Sequence, residues 1–168
     1  MQKTKDPLIF IVQDNLIYKD LLVGYLKQRK FKNIKTFISG EECLNSIKLG
    51  PDIVVLDYTL NGISGLELMR RVKAEHPETD FIFLSSQNSL EVAVKLMKLG
   101  ASDYIIKDPE APHNLIHSIE FLISSGKAKK IKKDFQIGVV GFFLILFFII
   151  LVIVVVAILL GDTTMARI

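Results

Sequence analysis

Residues 52–73 read DIVVLDYTLNGISGLELMRRVK, and the order of the fold is set by this stretch. Four apolar residues, Ile53–Leu56, stand in a row, and three of them are β-branched. A strand covered on both faces needs such a run, because no alternate position has to meet water. Asp57 ends it, Asn61-Gly62 supplies turn chemistry, and from Gly65 to Ala74 apolar residues return at helical spacing. The unit is strand, turn, helix.

Working outward, the same unit recurs. Short β-prone runs stand at Leu8–Val12, Phe81–Leu84 and Tyr104–Ile106, with a weaker one at Ile34–Ile38. Helical spacing is expected over Leu16–Lys30, Gly40–Leu49, Leu90–Leu99 and Asn114–Ser124. In the fourth helix Val92, Leu96 and Leu99 share one face, while Leu90, Val94 and Met97 form the opposite stripe, for which core packing is the expectation. Five strand–helix units in strict alternation predict an α/β domain with a parallel sheet and helices on both faces.

Composition divides the chain. Of its 168 residues, 1–125 carry 15 Lys/Arg against 16 Asp/Glu, so the net charge of +3 arises beyond them. Lys127, Lys129, Lys130, Lys132 and Lys133 precede an uncharged apolar run, IGVVGFFLILFFIILVIVVVAILL, at 137–160. As a helix this run would be about 36 Å long, enough to cross a hydrocarbon core of about 30 Å. The expected organisation is a domain at 1–125, a basic juxtamembrane linker at 126–136, a transmembrane helix at 137–160 and a short tail at 161–168. Lysines at the edge of a span stay cytoplasmic and are drawn to anionic headgroups, so they are read as a topology signal and no nucleic-acid partner is expected. The N-terminus has too short an apolar stretch for a signal peptide. A single-pass membrane protein is expected, with its domain in the cytoplasm and its C-terminus outside. Cys43 is the only cysteine, which excludes an intrachain disulfide, and its place in an apolar helix pattern makes it a small core residue.

In an open parallel sheet, ligands bind at the carboxyl ends of the strands. The residues there are Gln13, Asp14 and Asn15 after the first strand, Asp57 after the third, Ser85-Ser86 after the fourth and Lys107 after the fifth. Two carboxylates, a hydroxyl and an ammonium on one edge suit phosphoryl transfer to a carboxylate. An attacking Asp must approach an anionic donor, which a divalent cation permits. Asp14 and Asp57 offer the hard oxygens that Mg²⁺ takes. Lys107 offers a compact positive charge and Ser85 a hydroxyl donor.

The segments LIFIVQDN at 8–15, DIVVLDYTLNGISGLELMRRVK at 52–73 and FIFLSSQNSLEVAVKLMKLGASDYIIKD at 81–108 resemble the response-regulator receiver family over essentially all of residues 7–124. The resemblance implies a flavodoxin-like, doubly wound five-stranded sheet in the order 2-1-3-4-5. It also implies phosphorylation of Asp57 by a histidine kinase or phosphotransfer protein. Position by position, Asp57 is the nucleophile, while Asp14, Asp57 and the backbone carbonyl of Thr59 hold Mg²⁺. Ser85 and Lys107 bind the phosphoryl group, and Tyr104 is the aromatic that follows Ser85 in the switch. Thr59 and Gln87, with Gln13, tune the reaction. A downstream protein would read the face of helix four, strand five and helix five.

Three positions depart from the family pattern. Gln13 stands where the first of two adjacent acids is usual; the loss of a carboxylate predicts weakened rather than abolished Mg²⁺ binding, since an amide oxygen can still accept from a metal-bound water. Asn61 replaces a common proline, with Gly62 still supplying the turn. Asp108 follows the lysine where a proline with a cis bond is usual. A cis bond before a non-proline residue costs about 3–4 kcal/mol, so Lys107–Asp108 is predicted to be trans. His76, His113 and His117 are expected at helix ends or on solvated faces, and Arg70-Arg71 on a solvated one. The expected function is that of a membrane-anchored receiver signalling by contact, a phosphoacceptor rather than an enzyme. The rival is a degenerate receiver used as a membrane-tethered binding or dimerisation scaffold without phosphorylation.

Overall fold

In a computed structural model, which describes residues 6–126 and 145–149, the strand–helix units appear in the expected order. β1 (Ile9–Val12), β2 (Ile34–Phe37), β3 (Ile53–Asp57), β4 (Asp80–Ser85) and β5 (Asp103–Ile106) form one sheet in the order β2-β1-β3-β4-β5. Every pairing is parallel. The strands alternate with α1 (Leu16–Gln28), α2 (Gly40–Asn45), α3 (Gly65–Glu75) and α4 (Leu90–Lys98). A fifth helix, α5, runs over residues 111–126.

Two apolar layers sandwich the sheet. Phe10, Val12, Val54, Leu56, Phe81 and Phe83 point to one side and meet Cys43 of α2, Leu68, Met69 and Val72 of α3 and Leu96 of α4. Their neighbours in each strand, Ile9, Ile11, Ile53, Val55, Ile82 and Leu84, point to the other. There they meet Leu22 and Leu26 of α1 and Leu115, Ile116 and Ile119 of α5. The period of two thus divides each all-apolar run between the two layers. Cys43 is buried, and burial, then the Glu42 charge, pushes its thiol up to about 12. It is an inert core residue, as the sequence suggested.

The helices start where their caps dictate. Asn15, Ser39, Ser64 and Ser89 each accept a hydrogen bond from the backbone N–H three residues on, filling one of the orphan donors of a first turn. Two expectations are corrected. α5 begins three residues earlier than Asn114, because Pro112 sits in its first turn, where a missing N–H costs nothing. Leu90, Val94 and Met97 of α4 are exposed rather than in the core. Only Leu96 of that helix is fully covered, since one helix can present just one stripe to a flat sheet.

A side chain from α2 secures the turn after β3. The Glu41 carboxylate accepts from the Ile63 N–H at 2.9 Å. Hydrogen bonds from its own backbone N–H and from Ile63 hold its carboxyl below the ordinary 4.5. A carboxyl with a lowered folded pKa stabilises above the unfolded value and loses that contribution as pH falls through the folded one. Glu41→Gln should therefore be less stable than the native chain near neutrality, and the gap should close as the pH drops below 4.5. Urea midpoints of both chains across that range check this; a gap independent of pH would contradict it.

The chain divides into two units, Met1–Ile123 and Ser124–Ile168. Of the apolar run at 137–160, only residues 145–149 are described; they are helical, with exposed side chains. The rest of the expected membrane span, the basic linker beyond Gly126 and the tail lie outside the described residues. Among the described residues, no helix is long and apolar enough to cross a membrane.

Candidate functional site

The register brings the expected residues to one edge. Val12 pairs with Leu56 and Asp57 with Leu84, while Ser85 pairs with Ile106. Asp14, Asp57, Ser85 and Lys107 therefore emerge in a row from adjacent strands β1, β3, β4 and β5. Lys107 extends the ladder, its N–H donating to the Ser85 carbonyl at 2.7 Å.

Asp57 is the buried centre, 3% exposed. Its Oδ2 accepts from the Lys107 ammonium, whose side chain is largely covered as well. Its Oδ1 accepts from both the N–H and the hydroxyl of Thr59, at 3.0 and 3.1 Å. Both oxygens are thus oriented by donors, which aims the carboxylate without bulky neighbours. Ser85 is fully buried; its Oγ accepts from the Gln87 N–H at 3.0 Å. Gln87 in turn accepts from the Tyr104 hydroxyl through its carbonyl at 2.6 Å. Ser85, Gln87 and Tyr104 thereby form one chain of hydrogen bonds from the edge of the sheet to β5.

Asp14 is half-buried and accepts from the Asn61 side-chain amide at 2.8 Å. Gln13 is buried, its Oε1 accepting from the Asn15 N–H at 3.1 Å, while its Nε2 has no hydrogen-bond partner. The oxygen that was to accept from a metal-bound water thus accepts from Asn15 instead, and the Gln13 amide donor is left buried without a partner. Among the described residues no cluster of three His, Cys, Asp or Glu could hold a metal. The donor set still fits Mg²⁺, which keeps several waters and needs only one or two carboxylates: Asp57 ends β3 and Asp14 follows the neighbouring β1. It fits with one carboxylate fewer than a paired-acid site would supply.

The Lys107–Asp108 peptide is trans, as the described residues contain no cis bond. Asp108 builds the turn in place of a proline ring. Its N–H donates to the Ile106 carbonyl at 2.9 Å, its Oδ1 accepts from the Glu110 N–H at 2.9 Å and its carbonyl accepts from the Ala111 N–H at 3.1 Å.

Sequence reasoning missed three contacts. It used the carbonyl of Thr59 but not the hydroxyl that braces Asp57, and it read Asn61 as a turn residue without its hydrogen bond to Asp14. It also left Tyr18 as a plain helix residue, though Tyr18 lies in the first turn of α1, close behind Asp14 and the Asn15 cap. The Tyr18 ring lies beside Lys107. Of the histidines, His76 caps the C-terminus of α3, His113 packs edge-on against Tyr25, and His117 lines a cavity described below. Arg70 and Arg71 are exposed, and Arg71 pairs with Glu67 at 2.8 Å.

Residues 9–120 match the response regulator receiver domain family. The transcriptional regulatory protein CssR of Bacillus subtilis is 31% identical over 115 residues, 68% of this chain and 50% of its own length. The regulatory protein LuxO of Vibrio vulnificus is 33% identical over 97 residues, 57% of this chain and 21% of its own length. The chain thus spans half or less of these relatives. Among solved structures, the BeF3-activated receiver domain of DrrB, from Thermotoga maritima, superposes with a TM-score of 0.63 at 32% identity. That match covers 69% of this chain and 96% of that one. NtrX of Brucella abortus gives a TM-score of 0.70 at 30% identity, over 77% of this chain and 29% of its own.

Proposed function

Because this chain belongs to the response-regulator receiver family, we propose that it acts in two-component signalling by accepting a phosphoryl group on Asp57 from a histidine kinase or phosphotransfer partner. The observation that carries this reading is the buried Asp57 carboxylate, held by Lys107 on one oxygen and Thr59 on the other. In the reaction a carboxylate oxygen of Asp57 attacks phosphorus, the bond from phosphorus to the donor nitrogen breaks, and the donor imidazole leaves with the electron pair. Lys107 remains protonated and neutralises a phosphoryl oxygen; the Ser85 hydroxyl donates to another. Asp14, Asp57 and the Thr59 carbonyl would hold Mg²⁺, which supplies charge neutralisation between the acid and its anionic donor. Thr59 and Gln87, two residues beyond Asp57 and Ser85 respectively, set how readily water reaches the acyl phosphate.

The missing acid at position 13 has a measurable consequence. Gln13→Asp should bind Mg²⁺ about tenfold more tightly, the scale on which neighbours of metal ligands act. Calorimetric titration reads this, as does tyrosine emission, because the chain has no tryptophan and Tyr58 adjoins Asp57. Equal affinities in the two chains would show that Gln13 has no influence on the metal.

The output is a contact on α4, β5 and α5. A cavity of about 720 Å³ opens there, lined by Leu90, Tyr104, Ile106, His117 and Phe121 among others. The exposed Leu90, Val94 and Met97 lie on the α4 side. Tyr104 links this face to Ser85 through Gln87, so a change at the phosphoryl site reaches the surface a partner reads. Residues 137–160 anchor the chain in the cytoplasmic membrane of a bacterium, with residues 1–125 on the cytoplasmic side and the C-terminus outside. Support for this is the uncharged run and the lysines before it. Alkaline extraction of membranes and protease access to a C-terminal tag test the anchor; release into the soluble fraction would refute it. The scaffold reading, favoured by Gln13 and Asp108, requires that Asp57 never be phosphorylated.

A further inference from the structure

Lys107 is held from two sides. Its ammonium meets the Asp57 carboxylate, and it lies 5.1 Å from the centroid of the Tyr18 ring, within the range where a ring face attracts a cation. The ring rises from the first turn of α1. There the Tyr18 N–H donates to the Asn15 side chain at 3.0 Å, so the cap that follows Asp14 also fixes the ring's origin. The Tyr18 hydroxyl is buried and has no hydrogen-bond partner. A polar atom buried in this way costs stability, so the ring is not held there by its hydroxyl. Burial, then the charges of Asp57 and Asp108, raise its pKa above the ordinary value, which keeps the phenol neutral beside these acids. On the far side of Lys107 the stem has no proline to stiffen it; the turn is built by Asp108 hydrogen bonds instead.

We infer that Tyr18 is a positioning residue for Lys107, its ring holding the ammonium over the phosphoacceptor while the ammonium exchanges the Asp57 carboxylate for the incoming phosphoryl group. The inference rests on the phosphoacceptor reading of Asp57. The physical reason for a ring at this place is the exchange itself. A hydrogen bond to Oδ2 is directional and weakens once the carboxylate becomes an acyl phosphate. Attraction to a ring face is broad, so it persists as the ammonium slides from one oxygen to the next. The lysine stays protonated and no bond to Tyr18 forms or breaks.

The test uses the full chain in detergent micelles, with Tyr18→Phe, Tyr18→Leu, Asp57→Asn and Lys107→Arg variants. In ¹³C-lysine-labelled protein, with the signal assigned by Lys107→Arg, the ε-methylene of Lys107 should show an upfield ring-current shift. Tyr18→Phe should keep that shift and Tyr18→Leu should lose it. Affinity for beryllofluoride with Mg²⁺, a phosphoryl mimic, should be nearly unchanged in Tyr18→Phe and roughly three- to thirtyfold weaker in Tyr18→Leu. Melting curves establish that the variants are folded. Should Tyr18→Leu not fold, Tyr18→Met, which fills similar space without a π face, carries the same comparison. If native protein binds beryllofluoride and the Leu or Met variant binds it equally well, the role of Tyr18 is overturned and the phosphoacceptor reading stands. If native protein and Asp57→Asn alike fail to bind, the phosphoacceptor reading falls, and the role of Tyr18 with it.

Discussion

Asp57→Asn is expected to take up no phosphoryl group from a small phosphodonor with Mg²⁺, or from a phosphorylated histidine partner, under conditions where the native chain does. The amide nitrogen is no nucleophile toward phosphorus, and the remaining amide oxygen carries too little charge to attack or to hold the cation. The other acid of the edge, Asp14, follows β1 by two residues and accepts from Asn61; it lacks the bracing that the two Thr59 donors and Lys107 give Asp57. The loss should therefore be complete. The fold should survive it, because Asn can accept from Thr59 and the Lys107 side chain, 16% exposed, can reach water. Intact-protein mass and a melting curve on the same sample separate these outcomes. Phosphoryl uptake by the variant equal to the native level would mean that another residue is the acceptor.

The second large effect is expected from a glycine outside the charged set. A Cβ built on Gly65 would lie 2.9 Å from the Asp57 carbonyl oxygen, 2.8 Å from Leu56 Cδ1 and 3.1 Å from Phe83 Cε1. The leucine methyl can move; the Asp57 backbone cannot move without shifting the carboxylate it carries. Overpacking of this kind costs about 1–3 kcal/mol, and for a domain of this size each kcal/mol lowers the melting temperature by about 4 °C. Gly65→Ala should thus melt roughly 4–12 °C lower, and it should also accept phosphate more slowly, because the displaced carbonyl belongs to the phosphoacceptor. Scanning calorimetry and a phosphorylation time course measure the two. A variant as stable as the native chain would show that α3 can retreat from β3 without cost.

The comparison of sequence and structure follows from what each kind of signal contains. Strand order and the site edge were legible because the apolar runs Ile53–Leu56 and Phe81–Leu84 allow no exposed face, and because the residue that ends a buried parallel strand has one place to go. The trans peptide at Lys107 was legible from the energetic cost of the alternative. The exposure of Leu90, Val94 and Met97 was not: periodicity shows that a helix has two stripes, without saying which faces the sheet and which is left for a partner. The start of α5 was missed because Pro112 is a helix breaker everywhere except in a first turn. Two of the missed contacts depend on side-chain reach between segments far apart in the chain, Asn61 on Asp14 and Tyr18 on Lys107; the third, from the Thr59 hydroxyl to Asp57, is local but depends on a rotamer that sequence does not set. A motif marks the residues that react and is silent on those that hold them.

The departures at positions 13 and 108 adjust the site without dismantling it. Gln13 removes a charge and leaves a buried amide donor without a partner. Asp108 rebuilds a turn that still delivers Lys107 to Asp57. One measurement decides between a weakened phosphoacceptor and a scaffold. The full chain is incubated with Mg²⁺ and a small phosphodonor, the acyl phosphate is trapped by borohydride reduction, and the modified peptide is mapped. The account predicts reduction at residue 57 alone. Modification at another residue, or none at all with a competent histidine donor supplied as well, would contradict it.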